Sequence, residues 1–149
     1  MPRHIYINKK ISPFNKEIHV SSDKSLSIRT VLLASQAVGI SKISNLLESE
    51  DVLNALKIIK KLGINYKKKN NIYEIQGFGL NGFNPKNNTI INAGNSGTLG
   101  RLILSLLIKT EKKIKLIGDK SLSKRDFQRV AIPLSKFGVK FKLRNKKNL

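Results

Sequence analysis

Apolar positions along the chain follow two rhythms, one close to every second residue and one close to every third or fourth, and their alternation predicts a mixed α/β fold. Ile5-Tyr6-Ile7 and Ile18-His19-Val20 read as short strands around a turn at Ser12-Pro13. From Ser27 to Val38 a helical stripe runs through Ile28, Val31, Leu32, Leu33, Ala34 and Ala37, with Gly39 expected as its C-cap. Ile43 to Leu47 is expected as a strand, and Glu50 to Leu62 as an amphipathic helix closed by Gly63. Ile64-Asn65-Tyr66 and Ile72-Tyr73-Glu74-Ile75 flank Asn70-Asn71, the signature of a hairpin. A polar loop through Pro85 leads to a strand at Thr89-Ile90-Ile91. The most apolar helix is expected from Gly97 to Ile108, then a strand from Ile114 to Ile117. A last helix spans roughly Asp126 to Phe137, with Pro133 set to kink or break it, before a strand from Val139 to Leu143.

Two internal echoes stand out. Asp23-Lys24-Ser25-Leu26-Ser27-Ile28-Arg29 returns as Asp119-Lys120-Ser121-Leu122-Ser123-Lys124-Arg125, identical at six of seven positions. Separately, Lys61-Leu62-Gly63-Ile64 returns as Lys136-Phe137-Gly138-Val139, and the different spacing makes this second echo the better structural repeat. Its first copy continues into a complete hairpin, whereas its second continues into one strand and the turn-like Asn145-Lys146-Lys147-Asn148. A strand without its return partner leaves an open edge, so the chain is expected to be truncated relative to its fold.

Composition narrows the chemistry. A length of 149 residues suits one ordinary domain with a real core, and no Pro/Gly/Ser-rich linker divides it. The absence of cysteine excludes disulfides, thiolate metal sites and thiol nucleophiles, and His4 and His19 alone cannot build an imidazole cage. No metal site built on cysteine or histidine is therefore expected. The stretch from Leu102 to Ile108 is too short to span a bilayer, and no apolar signal core follows Met1-Pro2-Arg3-His4, so a cytoplasmic protein is expected. The formal charge of +20 allows a small basic nucleic-acid-binding module as an alternative. Against it, lysine supplies 23 of the 29 cations, scattered over hairpins, and aromatic residues are few.

Where certain cations fall is more informative than their number. A helix N-terminus carries unpaired N–H groups and partial positive charge, so a cation there costs about 0.3–1 kcal/mol. Yet the first helix opens Asp23-Lys24-Ser25 with Arg29 one turn on, and the third opens Asn95-Ser96-Gly97-Thr98 with Arg101 one turn in. The segment before the last helix ends Lys124-Arg125. Singly, each has an ordinary explanation as a cap, a tight turn or a surface charge. Together they suit phosphorylated, carboxylated ligands, whose anionic groups turn each cost into attraction. Glu48, Glu50 and Asp51 read as complements to a helix dipole, Lys67-Lys68-Lys69 as a solvated hairpin tip, and Tyr66 with Tyr73 as a cross-strand pair.

Four segments in order, Asp23 to Arg29, Ser44 to Val52, Gly94 to Arg101 and Gly118 to Arg125, resemble the N-terminal motifs of the 5-enolpyruvylshikimate-3-phosphate synthase family. The resemblance spans roughly Asp23 to Val139. It implies an enolpyruvyl transferase fold of repeated βαβαββ units, three in each of two domains. Residues 1–20 would then pack with the second domain, and residues 21–149 would form about two units of the first. It also implies the joining of shikimate 3-phosphate to phosphoenolpyruvate, in chorismate and aromatic amino acid biosynthesis, without a cofactor. Matched by motif, Lys24 would contact both substrates, and Ser25 and Arg29 would hold shikimate 3-phosphate. Asn95 and Gly97 would line the phosphoenolpyruvate site, Arg125 would clamp its charged groups, and Arg101 matches a further family arginine.

The family's acid–base residues lie in a part that this chain does not match, so none of its catalytic groups is expected here. The chain is expected to be inactive alone unless a C-terminal polypeptide complements it. Three departures are visible: Ser21-Ser22 in place of Pro-Gly, Asp126 in place of proline, and Gly100 in place of a bulkier residue.

Overall fold

The computed structural model describes Pro13, Asn15, residues 20–144 and residues 148–149. The strands expected at Ile5 to Ile7 and Ile18 to Val20, both histidines and most of the turn-like Asn145 to Asn148 lie wholly or largely outside the described residues.

Helix α1 (Lys24–Gln36) starts where Asp23 Oδ1 accepts the Leu26 N–H at 2.7 Å, which satisfies one of the amides a helix start leaves open. It ends at Gln36, with Ala37 already extended. Gly39 is therefore not its cap, as the sequence suggested, but a residue of strand β1 (Val38–Ile43) at φ 92°. The strand expected at Ile43 to Leu47 is displaced for the same reason: β1 begins earlier because its partner β3 (Ile72–Phe78) runs past it from Ile43↔Tyr73 to Val38↔Phe78. At Gly77 the β3 backbone passes so close to the carbonyls of Ala34 in α1 and of Ala37 just beyond it that a methyl group would collide with both.

Helix α2 (Glu50–Lys61) buries Val52, Ala55, Leu56 and Ile59, a spacing of one helical face. Glu50 and Asp51 stand at its positive end, Lys60 and Lys61 at its negative end. Its exit is a Schellman turn: Ile64 N–H reaches Ile59 O at 3.0 Å, Gly63 N–H reaches Lys60 O at 3.1 Å, and Gly63 takes φ 94°. The expected hairpin follows as β2 (Tyr66–Lys69) against β3, with Asn70 and Asn71 both at positive φ, as a two-residue type I′ turn demands. Sheet order is β1-β3-β2, all antiparallel.

The lysines of the hairpin are more engaged than a solvated tip. Lys67 Nζ pairs with Glu74 at 2.9 Å, while Lys68 binds Glu48 and lies over the Tyr73 ring. The Lys68 ammonium holds the Glu48 carboxyl below its ordinary pKa, and burial pushes the Tyr73 phenol up. Tyr66 and Tyr73 do meet, with ring centroids 6.3 Å apart; they sit diagonally, since Tyr66 faces Ile75 and Tyr73 faces Lys68.

The second unit opens with β4 (Thr89–Asn92), α3 (Gly97–Leu106) and β5 (Ile114–Ile117), and β4 and β5 pair in parallel. A single 3₁₀ turn (Leu122–Lys124) precedes α4 (Gln128–Ser135). Pro133 lies inside α4 without ending it at once; the bonds beyond it tighten to Lys136 N–H on Pro133 O and Phe137 N–H on Leu134 O. No strand forms at Val139 to Leu143. Only isolated bridges, Asp126↔Asn148 and Arg144↔Asn148, touch this region among the described residues, because no neighbouring strand offers a ladder.

One core joins both units: Ile28, Val31 and Leu32 of α1 meet α2, Ile75 of β3, Ile91 of β4, Leu99 and Ile103 of α3, and Phe127. The order α1-β1-α2-β2-β3 followed by β4-α3-β5-α4 is one βαβαββ unit from its first helix onward, and then the first four elements of a second.

Candidate functional site

The start of α3 gathers the groups the sequence singled out. Asn92 Oδ1 accepts the Gly94 N–H at 2.9 Å, turning the chain at Gly94, and buried Ser96 caps α3 by accepting Leu99 N–H at 3.3 Å. The first-turn amides of Gly97 and Thr98 have no intrahelical partner and point out of the helix. Asn95, exposed on the same turn, stands two residues before Gly97.

Arg125 reaches this point from another element. The sequence placed it at the mouth of the last helix, but α4 starts at Gln128, whose N–H is accepted by Asp126 Oδ1 at 2.7 Å. Arg125 instead ends the 3₁₀ turn in an extended conformation, φ −75° and ψ 148°, which throws its side chain across to α3. The turn itself is pinned to the glycine loop by Asp119 N–H on Gly94 O at 2.8 Å.

Gly97 shows how tightly these groups converge. A methyl group there would lie 2.5 Å from Arg125 Nη1 and 3.0 Å from Arg101 Nη1. Two guanidinium groups thus face one helix start that is itself partly positive. Neither forms an ion pair with a carboxylate among the described residues. Arg101 is held by Asp126 O at 3.4 Å and by the Phe127 ring 5.6 Å away, and its buried Nε has no partner among the described residues. Such a cluster of like charge and unfilled donors is built for an oxyanion, which both guanidiniums can grip through paired N–H groups. Lys120, Ser121, Lys124 and Arg125 line an open depression beside it, with Asp119.

Lys24 connects to this group through α2. Its Nζ lies 3.1 Å from Asp51 in the first turn of that helix, and Asn54 of the same helix packs so close to Gly94 that a methyl group there would lie 2.6 Å from its Nδ2. Ser27 Oγ, accepting Leu47 N–H at 3.1 Å, ties the loop before α2 to α1. Ser25, half-buried, and Arg29, exposed, sit four residues apart on one face of α1; no described contact joins them to the arginine pair. The structure therefore brings Gly97, Arg101 and Arg125 into contact, pairs Lys24 with Asp51 of α2, and leaves Ser25 and Arg29 as a neighbouring pair.

Sequence reading missed Asp51, Asn54 and Phe127 as parts of the site. Asp51 carried a usable signal, since it shares a stripe with Ala55, Ile58 and Leu62, all buried; a carboxylate on such a stripe implies a partner. Phe127 also packs over Gly100, where a methyl group would meet the edge of its ring at 3.4 Å.

A family model for EPSP synthase (3-phosphoshikimate 1-carboxyvinyltransferase) matches residues 8–149. The chain belongs to the EPSP synthase family. It is 35% identical to the 3-phosphoshikimate 1-carboxyvinyltransferase of Streptococcus suis over 144 residues, 96% of this chain and 33% of that one. With the enzyme of that name from Streptococcus pyogenes serotype M1 it shares 38% over 137 residues, 92% of this chain and 32% of the relative. The solved EPSP synthase from Acinetobacter baumannii matches with a TM-score of 0.79 and 32% identity, covering 88% of this chain and 30% of that structure. The chain spans about a third of the length of the curated relatives it matches. The fold is thus that of the family's N-terminal portion. Among the described residues, no helix is long and apolar enough to cross a membrane, and no three His, Asp or Glu side chains gather as a metal site would need.

Proposed function

We propose that this chain forms part of the substrate cleft of an enolpyruvyl transferase that joins phosphoenolpyruvate to shikimate 3-phosphate in the cytoplasm. Residues 21–149 contribute about two units of its first domain. In this reading Arg125, Gly97 and Asn95 hold phosphoenolpyruvate, Ser25 and Arg29 hold shikimate 3-phosphate, and Lys24 stands between the two. Arg101 stands beside Arg125 at Gly97 as the second guanidinium of the site. The observation that carries the reading is the convergence of Arg101 and Arg125 on Gly97 at the start of α3, a positive site in which neither guanidinium is ion-paired to a carboxylate among the described residues. A phosphate or carboxylate balances it directly.

The acid–base groups belong to the portion of the relatives that this chain does not match, whether it follows in the same polypeptide or is supplied by a complementing one. The 149-residue chain alone then binds without turning over. The nucleic-acid-binding alternative draws no support from relatives that are transferases. Amide NMR tests the reading. Shikimate 3-phosphate should shift the Ser25 and Arg29 signals, and phosphoenolpyruvate those of Gly97 and Thr98. Arg29→Ala should abolish the first response, and Arg125→Ala should weaken the second by about tenfold or more. Spectra unmoved by millimolar amounts of both ligands would refute it.

A further inference from the structure

We propose that Asp51 is a positioning residue: its buried carboxylate holds the Lys24 ammonium at the edge of the anion site. The inference rests on the anion-binding reading above and adds a group to which the family resemblance gave no role. Asp51 is 7% exposed, on the inward stripe of α2, whereas its neighbour Glu50 is exposed on the same helical turn. An acid that merely complements the α2 dipole works from any first-turn position, and Glu50 already does so from solvent. Burial of Asp51 removes most of its water, and a carboxylate so placed needs a charged partner.

Lys24 Nζ at 3.1 Å is that partner, and the lysine side chain keeps 54% of its surface open. One side of the ammonium is thus fixed while the other stays available to a ligand. The restraint matters because Lys24 is the first residue of α1, where the helix's own partial charge repels it. Asn54 of the same helix packs closely against Gly94, so Asp51 sets Lys24 relative to the loop that leads to Gly97.

Two NMR measurements on the 149-residue chain decide the matter. Without ligand, the ¹⁵N order parameter of the Lys24 ammonium should fall in Asp51→Asn toward that of exposed Lys112, and recover at least in part in Asp51→Glu. An order parameter unchanged in Asp51→Asn overturns the proposal. With ligand, Asp51→Asn should weaken shikimate 3-phosphate binding by about tenfold in the wild-type background and by less than about twofold in Lys24→Ala, since the two residues act as one unit. Equal weakening in both backgrounds gives Asp51 a merely structural role and also overturns the proposal. If the wild-type chain ignores shikimate 3-phosphate while the order parameter falls as expected, the anion reading fails and the Asp51–Lys24 hold stands.

Discussion

The heptads beginning at Asp23 and Asp119 differ at one residue, Ile28 against Lys124, and open in the same way. In each, the aspartate Oδ1 accepts the N–H of the leucine three residues on at 2.7 Å, and its carbonyl takes the serine N–H one residue later. They then part. The first runs on as the 13-residue α1, with Leu26 63% exposed and Ile28 fully buried. The second stops after a three-residue 3₁₀ turn, with Leu122 fully buried and Lys124 in solvent. The placing of apolar residues in and after each heptad explains the split. Ile28, Val31 and Leu32 share one helical face, so α1 buries itself by continuing. Leu122 and Phe127 are five residues apart, about 140° around a helix, and cannot both face the core unless the chain leaves the helix. It does so at Arg125, whose extended backbone both returns Phe127 to the core and sends its own guanidinium to Gly97. A nearly identical sequence thus builds a scaffold helix in one place and a ligand-facing arm in the other, and the neighbouring apolar residues decide which.

Exchanging the differing residue should produce the largest contrast. Ile28→Lys places an unpaired ammonium in the core and should cost roughly 4 kcal/mol or more, enough to unfold a marginal domain. Lys124→Ile changes an exposed side chain and should move stability by less than about 0.5 kcal/mol, with no added helix by far-UV circular dichroism. A gain of helix in Lys124→Ile would break the comparison, for the single difference would then govern the structure. A smaller contrast comes from the shared leucine. Leu122→Ala should cost about 2–5 kcal/mol in urea unfolding, while Leu26→Ala should cost well under half of that.

These contrasts show which parts of the molecule local sequence could reveal. The α2 helix, the Asn70-Asn71 hairpin and β5 were legible because capping, turn chemistry and periodicity agreed within a few residues of each other. The C-terminal end of α1 was misplaced because Gly39, a strong stop signal, serves a strand whose position depends on β3 more than 30 residues away. Val139 to Leu143 has strand character but no ladder to join. In the site, helix starts and small residues marked Lys24, Gly97 and Arg101 correctly as neighbours of helix N-termini. The path of Arg125 was hidden, because it depends on Phe127 packing against Gly100 rather than on any signal beside Arg125 itself.

The smallest effects concern the two aspartates. Removing the acceptor in Asp23→Ala or Asp119→Ala should cost about 1 kcal/mol each, since the local bond lost is the same. Asn in either place keeps an equivalent oxygen and should change stability by less than about 0.5 kcal/mol. The functional consequences should nonetheless differ. Asp119 shapes the turn that aims Arg125, so Asp119→Ala should reduce the phosphoenolpyruvate response at Gly97 and Thr98 while Asp119→Asn preserves it. Asp23→Ala frays the first turn of α1 and should act on the shikimate 3-phosphate response at Ser25 and Arg29 instead. Titrating both ligands against the four variants separates the two heptads by what each one carries. If Asp119→Ala leaves the Gly97 response intact, Arg125 is aimed by the packing of Leu122 and Phe127 alone, and the shared cap is a remnant of local sequence rather than part of the arm.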